Sequence, residues 1–138
     1  MTGQYELRSH TADVAIEATA PTLAGVFGAA ADGLAAAHVD SIPEGGSTIE
    51  VSVRAESPTA LLFDYLDRLI YVRDVEGVLP VENDVTVREA GTEWVVEGTA
   101  RGLPLSGIAA REVKAITYSE MVLEERDGEW YAYCVVDV

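Results

Sequence analysis

Residues 116–138 read ITYSEMVLEERDGEWYAYCVVDV, and the Asp127-Gly128 pair inside this stretch decides the fold. An Asp-Gly step between two runs rich in apolar and β-branched residues is the chemistry of a tight antiparallel turn, because glycine accepts the positive φ that such turns demand. Two strands are therefore expected, over about 113–125 and 129–138. With a two- or four-residue loop, Arg126 faces Glu129, which puts Tyr118 opposite Asp137 and Thr117 opposite Val138; a three-residue loop would move the register by one. Alternation then places Lys114, Ile116, Tyr118 and Asp137 on one face, with Lys114 about 13 Å from Tyr118 at ~3.3 Å per residue.

Working outward from the hairpin, SPTALLFDYLDRLIYVRD (57–74) opens with Ser57 as an N-cap and Pro58 at the first helical position, where a missing N–H costs nothing. Leu61, Leu62, Tyr65, Leu66, Leu69 and Ile70 give it a wide apolar face. A second helix is expected over about 22–38, where Leu23, Phe27, Ala30, Leu34 and Ala37 recur at helical spacing. Its three internal glycines weaken it, so tertiary packing must hold it. Ile49, Val51 and Val53 alternate with polar neighbours in a half-buried strand, and further strands are expected at about 78–89 and 93–101, turning near Gly91. QYELRSHTADVAIEATA (4–20) reads as strand, interrupted around Ser9 to Asp13. Residues 1–138 thus form one α+β domain with two layers: a mostly antiparallel sheet and two helices packed on one face. The other face is either solvated or covered by another protein.

Composition narrows the function. The chain carries 24 Asp and Glu against nine Lys and Arg, a formal charge of -15. That charge disfavours direct contact with a phosphate backbone, which needs cations to release counterions, so a role on RNA would run through a partner. Excess acid, alanine-rich helices and a single lysine suit a surface adapted to high salt, as in a halophilic protein. The start, MTGQYELRSH, has neither the basic residues nor the apolar run of a secretory signal. No stretch approaches the roughly 20 apolar residues that span a bilayer, so a cytoplasmic protein without membrane contact is expected. The lone Cys134 reads as a small buried hydrophobe.

Two residues stand out against this background. Asp137 closes a strand, YAYCVVDV, that is otherwise apolar on both faces, an odd place for a carboxylate without a partner. Lys114 is the only lysine. His10 reads as a structural group or a supporting one near the 9–13 loop. His38 reads as a helix C-terminal residue favoured by the dipole. Trp94 and Trp130 read as sheet or core packing. Neither histidine has the company of a nucleophilic site, and no glycine pattern spells a nucleotide-binding loop.

HTADVAI (10–16), SPTALLFDYLDRLIY (57–71), VKAITY (113–118) and the final VVDV occur in an order and at a chain length that resemble the archease family, with the likeness running over nearly the whole sequence. The resemblance implies a small non-enzymatic activator of the RtcB-type tRNA-splicing RNA ligase, promoting guanylylation of the ligase's histidine and its multiple turnover in joining tRNA exons. It also implies a divalent cation, most often calcium with magnesium or manganese as alternatives, held by Asp13, Asp137 and Val138. Ser9 and Ser119 depart from the family's habit, which often has an acidic residue and a histidine there. The ligand set has a chemical case of its own, since carboxylate oxygens suit hard cations rather than zinc.

Lys114 then has two readings, neutralising nearby carboxylates or reaching toward the ligase and its nucleotide. The alternative from a different class is a stand-alone metal-dependent hydrolase using the Asp13 and Asp137 carboxylates to activate water.

Overall fold

The structure is a computed structural model that describes residues 3–10 and 13–138, with the backbone alone for residues 8–10. Among these residues seven strands and two helices follow one another as β1 (Gln4–His10), β2 (Asp13–Ala20), α1 (Leu23–His38), β3 (Ser47–Ala55), α2 (Pro58–Glu76), β4 (Val78–Ala90), β5 (Glu93–Pro104), β6 (Ala115–Arg126) and β7 (Glu129–Asp137). The α+β class, the antiparallel pairing and the two helices are as expected. The strands, however, divide over two sheets, one in the order β1-β2-β7-β6 and one in the order β3-β5-β4. Every pairing is antiparallel.

Helix termini form for local reasons. The Thr22 hydroxyl accepts from Gly25 N at 3.0 Å to start α1, and the Ser57 hydroxyl accepts from Ala60 N at 3.2 Å to start α2. Gly77, left-handed at φ 68°, stops α2. Both helices touch both sheets: α1 packs on β1, β2 and β4, and α2 on β3, β4 and β6. The glycines that weaken α1 are what let it approach. A Cβ on Gly33 would stand 2.6 Å from Ile16 Cγ2, inside any real contact. Phe27, Leu61, Leu62, Leu66 and Ile16 fill the space between.

Strand alternation sorts the four-stranded sheet into two faces. Ile16, Ala18, Ala132, Cys134 and Val136 point into the main core. Asp13, Glu17, Tyr131, Tyr133 and Asp137 occupy the alternate positions of the same two strands, which pair as Asp13 with Asp137 and Glu17 with Tyr133. On that second face Ala15 and Val135 are buried by the chain itself, and the Tyr131 hydroxyl donates to Glu17 at 2.8 Å. Trp94 and Trp130 are half-buried and packed against the core, as their composition suggested.

The turn at Asp127-Gly128 has both residues at positive φ (51° and 82°), the two-residue hairpin geometry, and Arg126 does face Glu129. The expected register holds only as far as Val122 opposite Tyr133. Residues 118–121 then lie against Cys134 alone, and pairing resumes with Thr117 opposite Val135. Asp137 therefore sits opposite Ala115 rather than Tyr118, and β6 starts at Ala115 rather than 113. The physical reason is an irregular bulge on an edge strand, four residues against one. It leaves Tyr118 half in solvent, its ring edge-on to Phe63 of α2 with centroids 5.2 Å apart.

Candidate functional site

The open end of the β2–β7 pair builds a carboxylate corner. Asp13 begins β2, Asp137 ends β7, and the register makes them direct neighbours across the pair. Ala115 flanks Asp137 on its other side. Asp137 and Val138 are exposed and Asp13 is half-buried. The Asp137 carboxyl is held above the usual carboxylate range, first by a hydrogen bond with Asp13, then by partial desolvation and by the Asp13 charge; Lys114 pulls it back. Two acidic side chains placed in hydrogen-bonding reach of one another repel when both ionise, and a bound cation would relieve that repulsion.

Lys114 reaches this corner by a route different from the expected one. The bulge changes its parity, so alternation no longer puts it on the face of Asp137. Its backbone N–H instead donates to the Asp137 carbonyl at 2.8 Å, and its ammonium is near enough to act on the Asp137 carboxyl. The 13 Å expected from the simple register thus shrinks to direct backbone contact.

The segment 105–114, which carries the chain from the smaller sheet to the larger, is fastened at several points. Leu105 and Ile108 pack on a satellite cluster of Ala35, Val39, Leu79, Val81 and Leu103. Leu105 N donates to Gly77 O at 3.0 Å. Arg111 then caps the C-terminal end of α1, its guanidinium donating to Ala36 O, Ala37 O and Asp40 while its own N–H donates to His38 O at 2.7 Å. Val113 is fully buried, and its carbonyl accepts from Arg73 of α2.

His38 closes α1, as its sequence reading has it, and it is buried there. It is 2% exposed, with Nδ1 on the Leu34 carbonyl at 2.8 Å and Nε2 against Arg73 Nη1 at 2.8 Å. A carbonyl only accepts and a guanidinium only donates, so the ring must be the neutral tautomer with its proton on Nδ1. Burial, with Arg73 and Arg111 close by, pushes its pKa below the ordinary 6.5 despite the Leu34 bond and Asp74. Desolvation thus works against the charged ring that the end of a helix would otherwise favour.

Cys134 is fully buried and its thiol is pushed up to about 12, as inert as expected. The His10 side chain lies outside the described residues.

Among the described residues no three His, Cys, Asp or Glu side chains converge on one point. A cation at the corner would take Asp13 and Asp137 oxygens and would need main-chain oxygen, of the kind that Val138 carries, to complete its shell. That donor set is all hard oxygen, and it fits calcium, magnesium or manganese. No described helix is long and apolar enough to cross a membrane.

Comparison with known proteins agrees with this architecture. The Archease protein family matches over residues 5–138. A protein archease of Pyrococcus furiosus is 33% identical over 141 residues, covering 98% of this chain and 99% of its own, and one of Thermococcus kodakarensis is 36% identical over 142 residues with the same coverage. The solution structure of protein 1598 of Methanobacterium thermoautotrophicum superposes with a TM-score of 0.85 at 29% identity, covering 97% of this chain and 98% of that one. The crystal structure of an archease, described as a possible chaperone, from Thermotoga maritima gives 0.62 at 19% identity over 96% and 98%, a likeness of fold alone.

Proposed function

From the premise that this chain belongs to the archease family, we propose that it is a metal-binding accessory protein that activates a tRNA-splicing RNA ligase of the RtcB type and performs no covalent chemistry of its own. The observation that carries this reading is the Asp13–Asp137 pair, two carboxyls set face to face across β2 and β7 with Lys114 bonded beside them. Carboxyls placed to repel one another are disfavoured unless something cationic binds them.

Asp13, Asp137 and main-chain oxygen at Val138 would hold the cation, which when bound supplies charge neutralisation and a fixed oxygen cage. The residues around it do the rest. The strand pairing fixes the spacing of the two carboxylates, Lys114 presents a compact cation beside them, and the open face of the sheet gives the ligase access. In this role tRNA is met only through the ligase, which suits a chain with a charge of -15. In this reading the Lys114 ammonium, beside the Asp137 carboxyl, would meet the nucleotide phosphates of the ligase during guanylylation.

A stand-alone hydrolase has no support among the described residues, since His38 has both ring nitrogens engaged and Cys134 is buried. The test is to mix the protein with its cognate ligase, GTP and divalent metal. Ligase–GMP formation should speed up over many turnovers, and the double variant Asp13→Ala, Asp137→Ala should lose the effect. No acceleration by the unmodified protein would sink the reading.

A further inference from the structure

A buried histidine and two arginines lie behind the carboxylate corner, apart from the residues that would hold a cation. His38, Arg73 and Arg111 come from three separate parts of the chain and meet behind the segment that carries Lys114. Arg73 is 13% exposed and spends both protons of Nη1 inward, one on His38 Nε2 and one on the Val113 carbonyl, while Nε and Nη2 close on Asp74. The very next residue after Val113 is Lys114, whose N–H holds the Asp137 carbonyl. A continuous line of hydrogen bonds therefore runs from the last turn of α1 through Arg73 to the carboxylate corner.

We infer that Arg73 and His38 form a positioning latch for the carboxylate corner: the latch sets the place of Lys114 and Asp137 while His38 is neutral, and releases it when His38 takes a second proton. The proposal rests on the reading of the corner as the functional site. A proton on Nε2 would face an Nη1 N–H with another N–H and end that bond, and it would add a cation beside Arg73 and Arg111, offset in part by Asp74 and the Leu34 carbonyl. Arg73 would then turn from His38, and the Val113 carbonyl would lose the donor held in place by that contact. Arg111, fixed on Ala36, Ala37 and Asp40, keeps the earlier part of the segment seated, so the loosening falls on residues 112–114 and on the Asp137 carbonyl they hold. Fastening a loop would need only one of the two arginines. The second engages a titratable ring, which gives the corner a dependence on pH that strand pairing alone would not have.

The test reads the protection of the Lys114 amide against hydrogen exchange by NMR between pH 7.5 and 5, with Val53 and Val96 of the smaller sheet as internal references. In the unmodified protein the Lys114 protection factor should drop at least tenfold on acidification while the references hold. Arg73→Met should show the low value at every pH. His38→Gln, which keeps an oxygen for Arg73 and an N–H for Leu34, should hold the high value throughout. A Lys114 amide that follows the references in all three proteins overturns the latch, and so does an unchanged acid step in His38→Gln. Should Arg73→Met fail to fold, the His38→Gln comparison decides alone. A parallel Ca²⁺ titration separates this inference from the reading beneath it: absence of binding by the unmodified protein removes the metal reading, whereas the latch stands or falls on the amide.

Discussion

The two faces of the β2–β7 ribbon make opposite use of the same strands. On the covered face Ile16 lies opposite Cys134 and Val14 opposite Val136, and these positions are apolar and packed under the helices. One residue further along each strand, on the other face, Asp13 lies opposite Asp137 and Glu17 opposite Tyr133. The packed side chains and the carboxylates are thus separated by parity rather than by distance. A strand can carry a charged site at its end without loss to the core, provided that the charges fall on the alternate positions.

That separation can be broken from either side. The largest effect should come from the covered face, where Ile16→Ala removes a side chain with no exposure; a loss of about 2–5 kcal/mol in urea unfolding is expected, with metal affinity altered only insofar as the fold is lost. On the open face, Asp13→Asn and Asp137→Asn should each weaken Ca²⁺ binding at least tenfold by calorimetry, while the urea unfolding midpoint stays close to that of the parent. Lys114→Arg should fold as the parent does and bind metal, yet stimulate the ligase several-fold less, because a planar guanidinium is a poor stand-in for a compact ammonium.

The smallest effects are in pH dependence, and the two titrating groups act with opposite sign. Asp137 has its pKa raised in the fold, so its contribution to stability is complete below the ordinary 3.8 and is lost as pH rises through the folded value. Asp13→Asn, which removes the neighbouring charge, should bring the Asp137 carboxyl resonance to titrate lower. His38 has its pKa lowered, so its contribution is complete above 6.5 and is lost as pH falls through the folded value. His38→Gln should flatten that acid limb of the stability profile.

Much of this was legible in the sequence. Apolar spacing marked both helices to within a few residues, because a wide stripe under a cap leaves few alternatives, and Asp127-Gly128 marked the hairpin. Asp137 announced itself as a carboxylate at the end of an apolar strand. Three things were not legible. The bulge at 118–121 obeys no spacing rule; its one trace is the adjacent polar pair Ser119-Glu120, which breaks the alternation before Val122. Because of it, the neighbourhood of Lys114 and Asp137 could be read from the sequence while the contact between them could not. The burial of His38 depends on Arg73, 35 residues away, and on a crossing segment that local reasoning does not place. The split into two sheets is likewise a property of that crossing from β5 to β6, which no pattern within either strand records.

The central claim, that paired carboxylates at the end of the β2–β7 ribbon hold a cation through which the protein serves its ligase, meets its most direct test in a Mn²⁺ soak of crystals read by anomalous scattering. The account predicts one strong peak within coordination distance of the Asp13 and Asp137 carboxylates. It is contradicted by crystals that show Mn²⁺ elsewhere, or nowhere, with the two carboxylates empty.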